Sequence, residues 1–168
     1  MQIKIAGIQD DSVVDGEGIR MTVFGQGCPH HCHGCHNPAT WNSAGGYVTT
    51  TEEILEQYKN NPLLDGMTFS GGEPFIQPFA FMELADKVHE MGGNVWCYTG
   101  FTLNQLTQHG FGPHKLLLDK IDVLVDGEFM EELKDLTLQF RGSRNQRIWK
   151  RQGDTWSLWL PEQQQQAG

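Results

Sequence analysis

Met67-Thr68-Phe69-Ser70-Gly71-Gly72-Glu73-Pro74 sets the frame of the chain: a short apolar strand, Met67–Phe69, runs without a break into a glycine turn closed by proline. The same arrangement recurs downstream, where Asn94–Tyr98 runs into Thr99-Gly100 and Ile121–Val125 into Asp126-Gly127. Between the first two strands, Phe79, Met82 and Ala85 and the set Phe81, Leu84 and Val88 keep helical spacing up to a stop at Gly92-Gly93. Between the second and third, Leu103–His109 reads as a short helix. The strand starts lie about 27 residues apart, close to the length of a strand–helix–strand unit with parallel strands. The fold class is therefore α/β with a mostly parallel sheet.

Upstream, Gln2–Ile8 and Arg20–Phe24 read as strands on either side of the turn-rich Asp15-Gly16-Glu17-Gly18. A loop from Gly25 to Gly46 follows. Thr50 with Glu53 forms a capping box that opens a helix over Thr51–Lys59, ending near Pro62. In parallel α/β folds, ligands gather outside the carboxyl ends of the strands. The loop after Arg20–Phe24 and the turn after Met67–Phe69 both leave from such ends, so they are expected to face one another.

A chain of 168 residues has room for one domain, expected over 1–160, with 161–168 a disordered tail that includes Gln163–Gln166. Apolar residues at 38% and charged residues at 20% suit a soluble globular protein. No apolar stretch reaches the length of a membrane span, and Met1–Asp11 has neither a basic region nor an apolar signal core, so no membrane association and a cytoplasmic location are expected. The formal charge of −9 argues against binding through a polyanion backbone, which needs Lys and Arg to neutralise phosphates. No nucleic acid partner is expected.

Of the four cysteines, Cys28, Cys32 and Cys35 fall in Cys28-Pro29-His30-His31-Cys32-His33-Gly34-Cys35-His36-Asn37, at the spacing C-x3-C-x2-C. A [4Fe-4S] cluster is normally held by four cysteines, so three in one tight loop hold three irons and leave the fourth open to a ligand. An open coordination position separates a reactive metal centre from a sealed one. Gly25, Gly27 and Gly34 suit a loop that must curl around a bulky cluster. The alternative is a structural zinc ion held by the cysteines and one of His30, His31, His33 and His36. Zinc modules usually draw ligands from two separated knuckles, whereas every candidate here sits in one run, and this favours the cluster.

Ser70-Gly71-Gly72-Glu73-Pro74 would serve an amino-acid ligand on that open iron. Gly71 and Gly72 bare their carbonyls, and Glu73 supplies a negative charge for an ammonium group. Alone, this motif is also an ordinary strand-to-helix turn; the cysteine loop is what gives it weight. Tyr98 and Thr99, at the next strand end, are placed to meet the same ligand or to serve as ordinary loop residues. Cys97, inside an apolar strand, reads as a small buried hydrophobe. Arg141, Arg144 and Arg147 form either a docking surface or a solvated segment, and Asp126 either faces the ligand or caps a helix beginning near Phe129.

The cysteine spacing followed by the Gly-Gly-Glu turn resembles the radical S-adenosylmethionine superfamily. Asp15-Gly16-Glu17-Gly18-Ile19-Arg20, Gly27–Cys32, Cys35-His36-Asn37-Pro38, Trp41, Tyr98-Thr99-Gly100, Asp122–Gly127 and Arg141-Gly142-Ser143 with Asn145-Gln146-Arg147 look like the activating proteins of anaerobic ribonucleotide reductase. The resemblance implies a [4Fe-4S] cluster on Cys28, Cys32 and Cys35 that binds S-adenosylmethionine and cleaves it to methionine and a 5'-deoxyadenosyl radical. It implies cofactor contacts from Gly71, Gly72, Glu73, Tyr98 and Thr99. The superfamily usually has an aromatic residue where this chain has Gly34, so backbone at Gly34 and His36 would take over at the adenine. The implied partners are the large catalytic subunit of the reductase, on one glycine of which a radical is made, and a low-potential electron donor such as flavodoxin. So small a chain implies a shortened, incomplete (β/α) barrel, open on one side. The other readings are an activase of pyruvate formate-lyase, a radical enzyme of a small molecule such as a deazaguanine-forming synthase, and a zinc-binding interaction module.

Overall fold

A computed structural model describes residues 1–108 and 112–161. Its strands are β1 (Gln2–Ser12), β2 (Arg20–Gly25), β3 (Tyr47–Thr50), β4 (Gly66–Gly71), β5 (Asn94–Tyr98), β6 (Val123–Asp126), β7 (Arg147–Gln152) and β8 (Thr155–Leu158). Its helices are α1 (Thr51–Lys59), α2 (Pro78–Glu90), α3 (Leu103–Gln108) and α4 (Gly112–Leu118). One eight-stranded sheet runs in the order β3-β1-β2-β4-β5-β6-β7-β8. His109, and residues 162–168 of the expected tail, lie outside the described residues, while Pro161 is buried.

The β2–β4, β4–β5 and β5–β6 pairings are parallel, as the strand spacing predicts. The β1–β2, β1–β3, β6–β7 and β7–β8 pairings are antiparallel. The sheet is thus mixed rather than mostly parallel: strand–helix–strand units build its centre, and its flanks are chain that returns without a crossover. Among the described residues no pairing joins β3 to β8, so the sheet is open. Of the flanking strands, β1 is read in the sequence as Gln2–Ile8, whereas β3, β7 and β8 escape such a reading because they carry little apolar signal. Tyr47 and Val48 of β3 are exposed, and β7 reads Arg-Ile-Trp-Lys-Arg-Gln.

Alternation along the central strands sorts their side chains between two faces. Met21, Val23, Met67, Phe69, Val95, Cys97 and Leu124 pack in one cluster with α1 (Ile54, Leu55, Tyr58), α2 (Phe81, Leu84, Val88) and α4 (Leu117, Leu118). The apolar stripe of α2 is Ala80, Phe81, Leu84, Ala85 and Val88, while Phe79 is 55% exposed, which rotates the expected face by about one residue. At the start of α1, Thr50 Oγ1 accepts from Glu53 N at 3.1 Å, whereas the Glu53 carboxylate is taken by Thr49. Among the described residues no helix is long and apolar enough to cross a membrane.

The other face is covered by loops. Asp15 reaches in from the turn after β1: its carboxylate accepts from Thr22 Oγ1 at 3.0 Å, and its carbonyl accepts from Thr68 Oγ1 at 2.8 Å. Arg20 is fully buried beside them, donating to Thr68 Oγ1 and to the carbonyls of Glu17, Met67 and Asn94, and so ties together β2, β4 and β5 near their starts. Burial lowers its pKa to about 10. With this end sealed, the chain's reactive groups gather at the opposite, carboxyl ends of the parallel strands.

Candidate active site

β2 ends at Gly25, and the chain turns away through Gln26 and Gly27 to Cys28. Backbone bonds pin both feet of the loop: Gly27 N donates to Thr40 O at 2.6 Å and Cys28 N to Trp41 O at 3.2 Å. The buried Gln26 amide crosses underneath to the carbonyls of Ala39 and Asn42. Within the loop, Cys35 N donates to Cys32 O at 3.1 Å, and the three cysteines are partly buried. Burial, with nearby acidic groups and thiols adding to it, pushes the Cys28 thiol up, and burial does the same for Cys32.

The Gly-Gly-Glu turn docks edge-on to this loop. Gly72 N donates to Gly25 O and Glu73 N to Gly27 O, both at 2.8 Å. The approach depends on bare backbone. A Cβ on Gly72 would stand 2.2 Å from Gly27 O, and one on Gly71, whose φ is +87°, 2.6 Å from Phe24 Cα. Cys28, Cys32, Cys35, Ser70, Gly71, Gly72, Tyr98 and Thr99 thereby line one cavity of about 120 Å³. The two loops do face one another, as their strand ends predict.

Three expected site residues stand elsewhere. Glu73 is 1% exposed and turned inward rather than into the cavity. Its carboxylate accepts from Thr99 Oγ1 at 2.9 and 3.0 Å, Gly100 N at 2.8 Å and Phe75 N at 3.1 Å, and it meets His30 Nε2 at 2.7 Å. His36 lines an adjoining cleft of about 700 Å³ that shares Cys35, Tyr98, Phe129 and Gln146 with the cavity. Gly34 is exposed at φ +77°, and a Cβ there would meet Glu131.

Two cavity residues escape the motif reading. Phe129 contacts His36 edge-on at 5.1 Å. Gln146 holds the wall opposite the cysteines, donating to Gly127 O at 3.1 Å and accepting from Gly142 N and Ser143 N. The Asn145-Gln146-Arg147 segment was visible in the sequence, but a side-chain amide reading backbone groups has no local pattern. Asp126 is buried beside them and caps α3, accepting from Leu103 N at 2.7 Å, and pairs with Arg147 at 3.0 Å. It does not cap a helix near Phe129. Arg147 also stacks on Trp149, and Arg141 donates to Gln146 O.

The cysteines suit a cluster better than a single ion. Among the described residues no group of three His, Cys, Asp or Glu side chains is arranged to hold one metal ion. The loop histidines are engaged elsewhere, His30 with Glu73 and Glu128, His31 stacked on Trp41 at 4.8 Å, His33 with Glu131 and His36 against Phe129. His30 lines the cavity with the cysteines, but both of its ring nitrogens face carboxylates, so it offers no open nitrogen as a fourth zinc ligand. A cubane asks each cysteine to meet a different iron, which three thiols spread along a curled loop can do.

A family model described as a 4Fe-4S single cluster domain matches residues 14–149. The anaerobic ribonucleoside-triphosphate reductase-activating protein of Vibrio cholerae is 38% identical over 144 residues, covering 81% of this chain and 90% of its own. Its namesake in Haemophilus influenzae is 35% identical over 147 residues, again covering 81% and 90%. That of Escherichia coli K12 is 34% identical over 143 residues, covering 80% and 90%. Among solved structures, the crystal structure of QueE from Escherichia coli has a similar fold, with a TM-score of 0.51 at 18% identity over 73% of this chain and 68% of that one.

Proposed function

The chain belongs to the family of anaerobic ribonucleoside-triphosphate reductase-activating proteins, and from that premise we propose that Cys28, Cys32 and Cys35 hold a [4Fe-4S] cluster whose fourth iron faces an S-adenosylmethionine site. One observation carries the reading: three thiols, the bare backbone of the Gly-Gly turn and the end of β5 line a single cavity. When bound, the reduced cluster and S-adenosylmethionine would supply the chemistry, one-electron reductive cleavage of the sulfonium coupled to hydrogen-atom abstraction from a glycine of the reductase.

The chain's own residues hold, orient and shield. Ser70, Gly71 and Gly72 line the cavity, and the two glycines leave backbone bare there to serve an ammonium group. Glu73 works from behind: its carboxylate holds Thr99 and Gly100 and so fixes two strand ends at one spacing. Tyr98 and Phe129 wall the cavity, and burial keeps the Tyr98 phenol protonated by pushing its pKa up. Of the two backbone positions expected at the adenine, His36 lines the adjoining cleft and is assigned that contact, while Gly34 lies outside both the cavity and the cleft.

The protein substrate is the large catalytic subunit of the reductase. We read the parallel strands β2, β4, β5 and β6 as the arc of a shortened barrel whose open side admits the glycine-bearing loop. The adjoining cleft leads from the cavity past Val14 and Leu136, which are 71% and 85% exposed. Val14→Asp combined with Leu136→Asp is expected to lower the ratio of glycyl radical formed to S-adenosylmethionine cleaved by about tenfold, because charge placed in an apolar contact must be desolvated. An unchanged ratio would place docking elsewhere. A low-potential donor of the flavodoxin kind supplies the electron, and the excess of acidic residues leaves the ribonucleotide to the partner. A cytoplasmic setting fits these partners.

The test is anaerobic reconstitution with iron and sulfide, followed by a strong reductant and S-adenosylmethionine. The expected product is 5'-deoxyadenosine. Tightly held zinc, no cluster spectrum and no product would overturn the assignment.

A further inference from the structure

His30 differs from the other histidines of the cysteine loop. Its side chain is only 9% exposed, against 94% for His33, and both ring nitrogens are engaged. Nε2 lies 2.7 Å from Glu73 Oε2 and Nδ1 3.1 Å from Glu128 Oε1. One imidazole therefore spans three loops that leave the ends of β2, β4 and β6. The ring rests on the turn after β5 as well, edge-on to Phe101 at 4.7 Å and so close to Gly100 that a Cβ there would fall 2.4 Å from it. Every parallel strand end that borders the cavity thus meets this side chain.

Its link to Glu73 has a specific consequence. Of the groups that hold the Glu73 carboxylate, the Phe75 amide belongs to the same turn and Thr99 and Gly100 to the end of β5, and only the imidazole comes from the cysteine loop. Glu73 in turn is continuous with Gly71 and Gly72, and its amide is bonded to Gly27, next to Cys28. We propose that His30 is a positioning residue: it clamps the cysteine loop to the Gly-Gly-Glu turn through Glu73 and so sets the distance between the open iron and the backbone that receives the amino-acid end of S-adenosylmethionine. The inference rests on the S-adenosylmethionine reading above and assigns to His30 no contact with the cofactor's reacting bond.

The test uses the full chain, reconstituted anaerobically, with S-adenosylmethionine affinity read from the change it causes in the electron paramagnetic resonance spectrum of the reduced cluster. His30→Ala is expected to keep wild-type iron and sulfide, because all three cysteines remain, and to bind S-adenosylmethionine about tenfold more weakly, the loss of one buried hydrogen bond. His30→Gln places an amide near the position of Nε2 and is expected to recover affinity to within about threefold of wild type. In a Glu73→Gln background, His30→Ala is expected to add less than about twofold, since the clamp is already cut.

Wild-type affinity in His30→Ala, or the same tenfold loss in the Glu73→Gln background, overturns the proposal. If His30→Ala loads poorly, the fully loaded His30→Gln decides: affinity near wild type supports the clamp, and a tenfold loss overturns it. A wild-type cluster whose spectrum does not respond to S-adenosylmethionine at all would instead sink the underlying reading, and the clamp with it.

Discussion

Cys28→Ala, Cys32→Ala and Cys35→Ala are each expected to leave a folded protein that forms no detectable 5'-deoxyadenosine, whereas Cys97→Ala is expected to retain cleavage. The first three lie in a loop beyond the end of β2, partly exposed and outside the packed clusters, so shortening them removes a metal ligand and little else. With two thiolates left, a cubane loses a second iron contact and its stability in solution. Cys97 is 0% exposed, packs among the helices from β5, and is held protonated by burial, which raises its pKa well above the ordinary value. Removing its sulfur leaves a small cavity that costs about 1 kcal/mol of stability. Iron and sulfide analysis beside product chromatography checks both halves. Loss of the cluster in Cys97→Ala would mean that the ligand set is wrong.

Gly72→Ala is expected to reduce S-adenosylmethionine cleavage by about a hundredfold or more, because the geometry leaves the added methyl nowhere to go. Its Cβ would sit 2.2 Å from Gly27 O and 2.8 Å from Gly27 C, and these are backbone atoms at the foot of the cysteine loop. The turn must lift away, breaking the bonds from Gly72 to Gly25 and from Glu73 to Gly27 that hold the two loops together. Gly92→Ala is the control. Gly92 has a φ of +83° but nothing within 4 Å of its added Cβ, so the substitution strains one residue by about 1–2 kcal/mol and leaves the site alone. Cleavage rates of the two cluster-loaded variants, measured side by side, separate these outcomes. Equal activity in both would show that the turn does not serve the cofactor.

The site was more legible in the sequence than the sheet that carries it. A metal loop and a glycine turn are local: Cys28, Cys32 and Cys35, and Gly71 with Gly72, state their requirements within a few residues, and strand-end geometry then brings them together. What is set at long range could not be read the same way. The inward turn of Glu73 is decided by Thr99 and Gly100, which reach it only when β4 and β5 pair. The wall at Gln146 depends on β7 returning antiparallel to β6, and β7 is too charged to announce itself as a strand. Asp126 shows the same limit, since the helix it caps begins at Leu103, earlier in the chain. His30 looked interchangeable with its neighbours in the sequence, and only burial and two carboxylates distinguish it.

The measurement that bears most directly on the account is electron paramagnetic resonance of the large reductase subunit after anaerobic incubation with this protein, reductant and S-adenosylmethionine. The predicted result is a glycyl radical on that subunit, formed only when all components are present, changed in line shape when the subunit carries deuterated glycine, and absent with Cys32→Ala. Formation of 5'-deoxyadenosine with no glycyl signal on the reductase, or a signal that arises only with pyruvate formate-lyase, would contradict it.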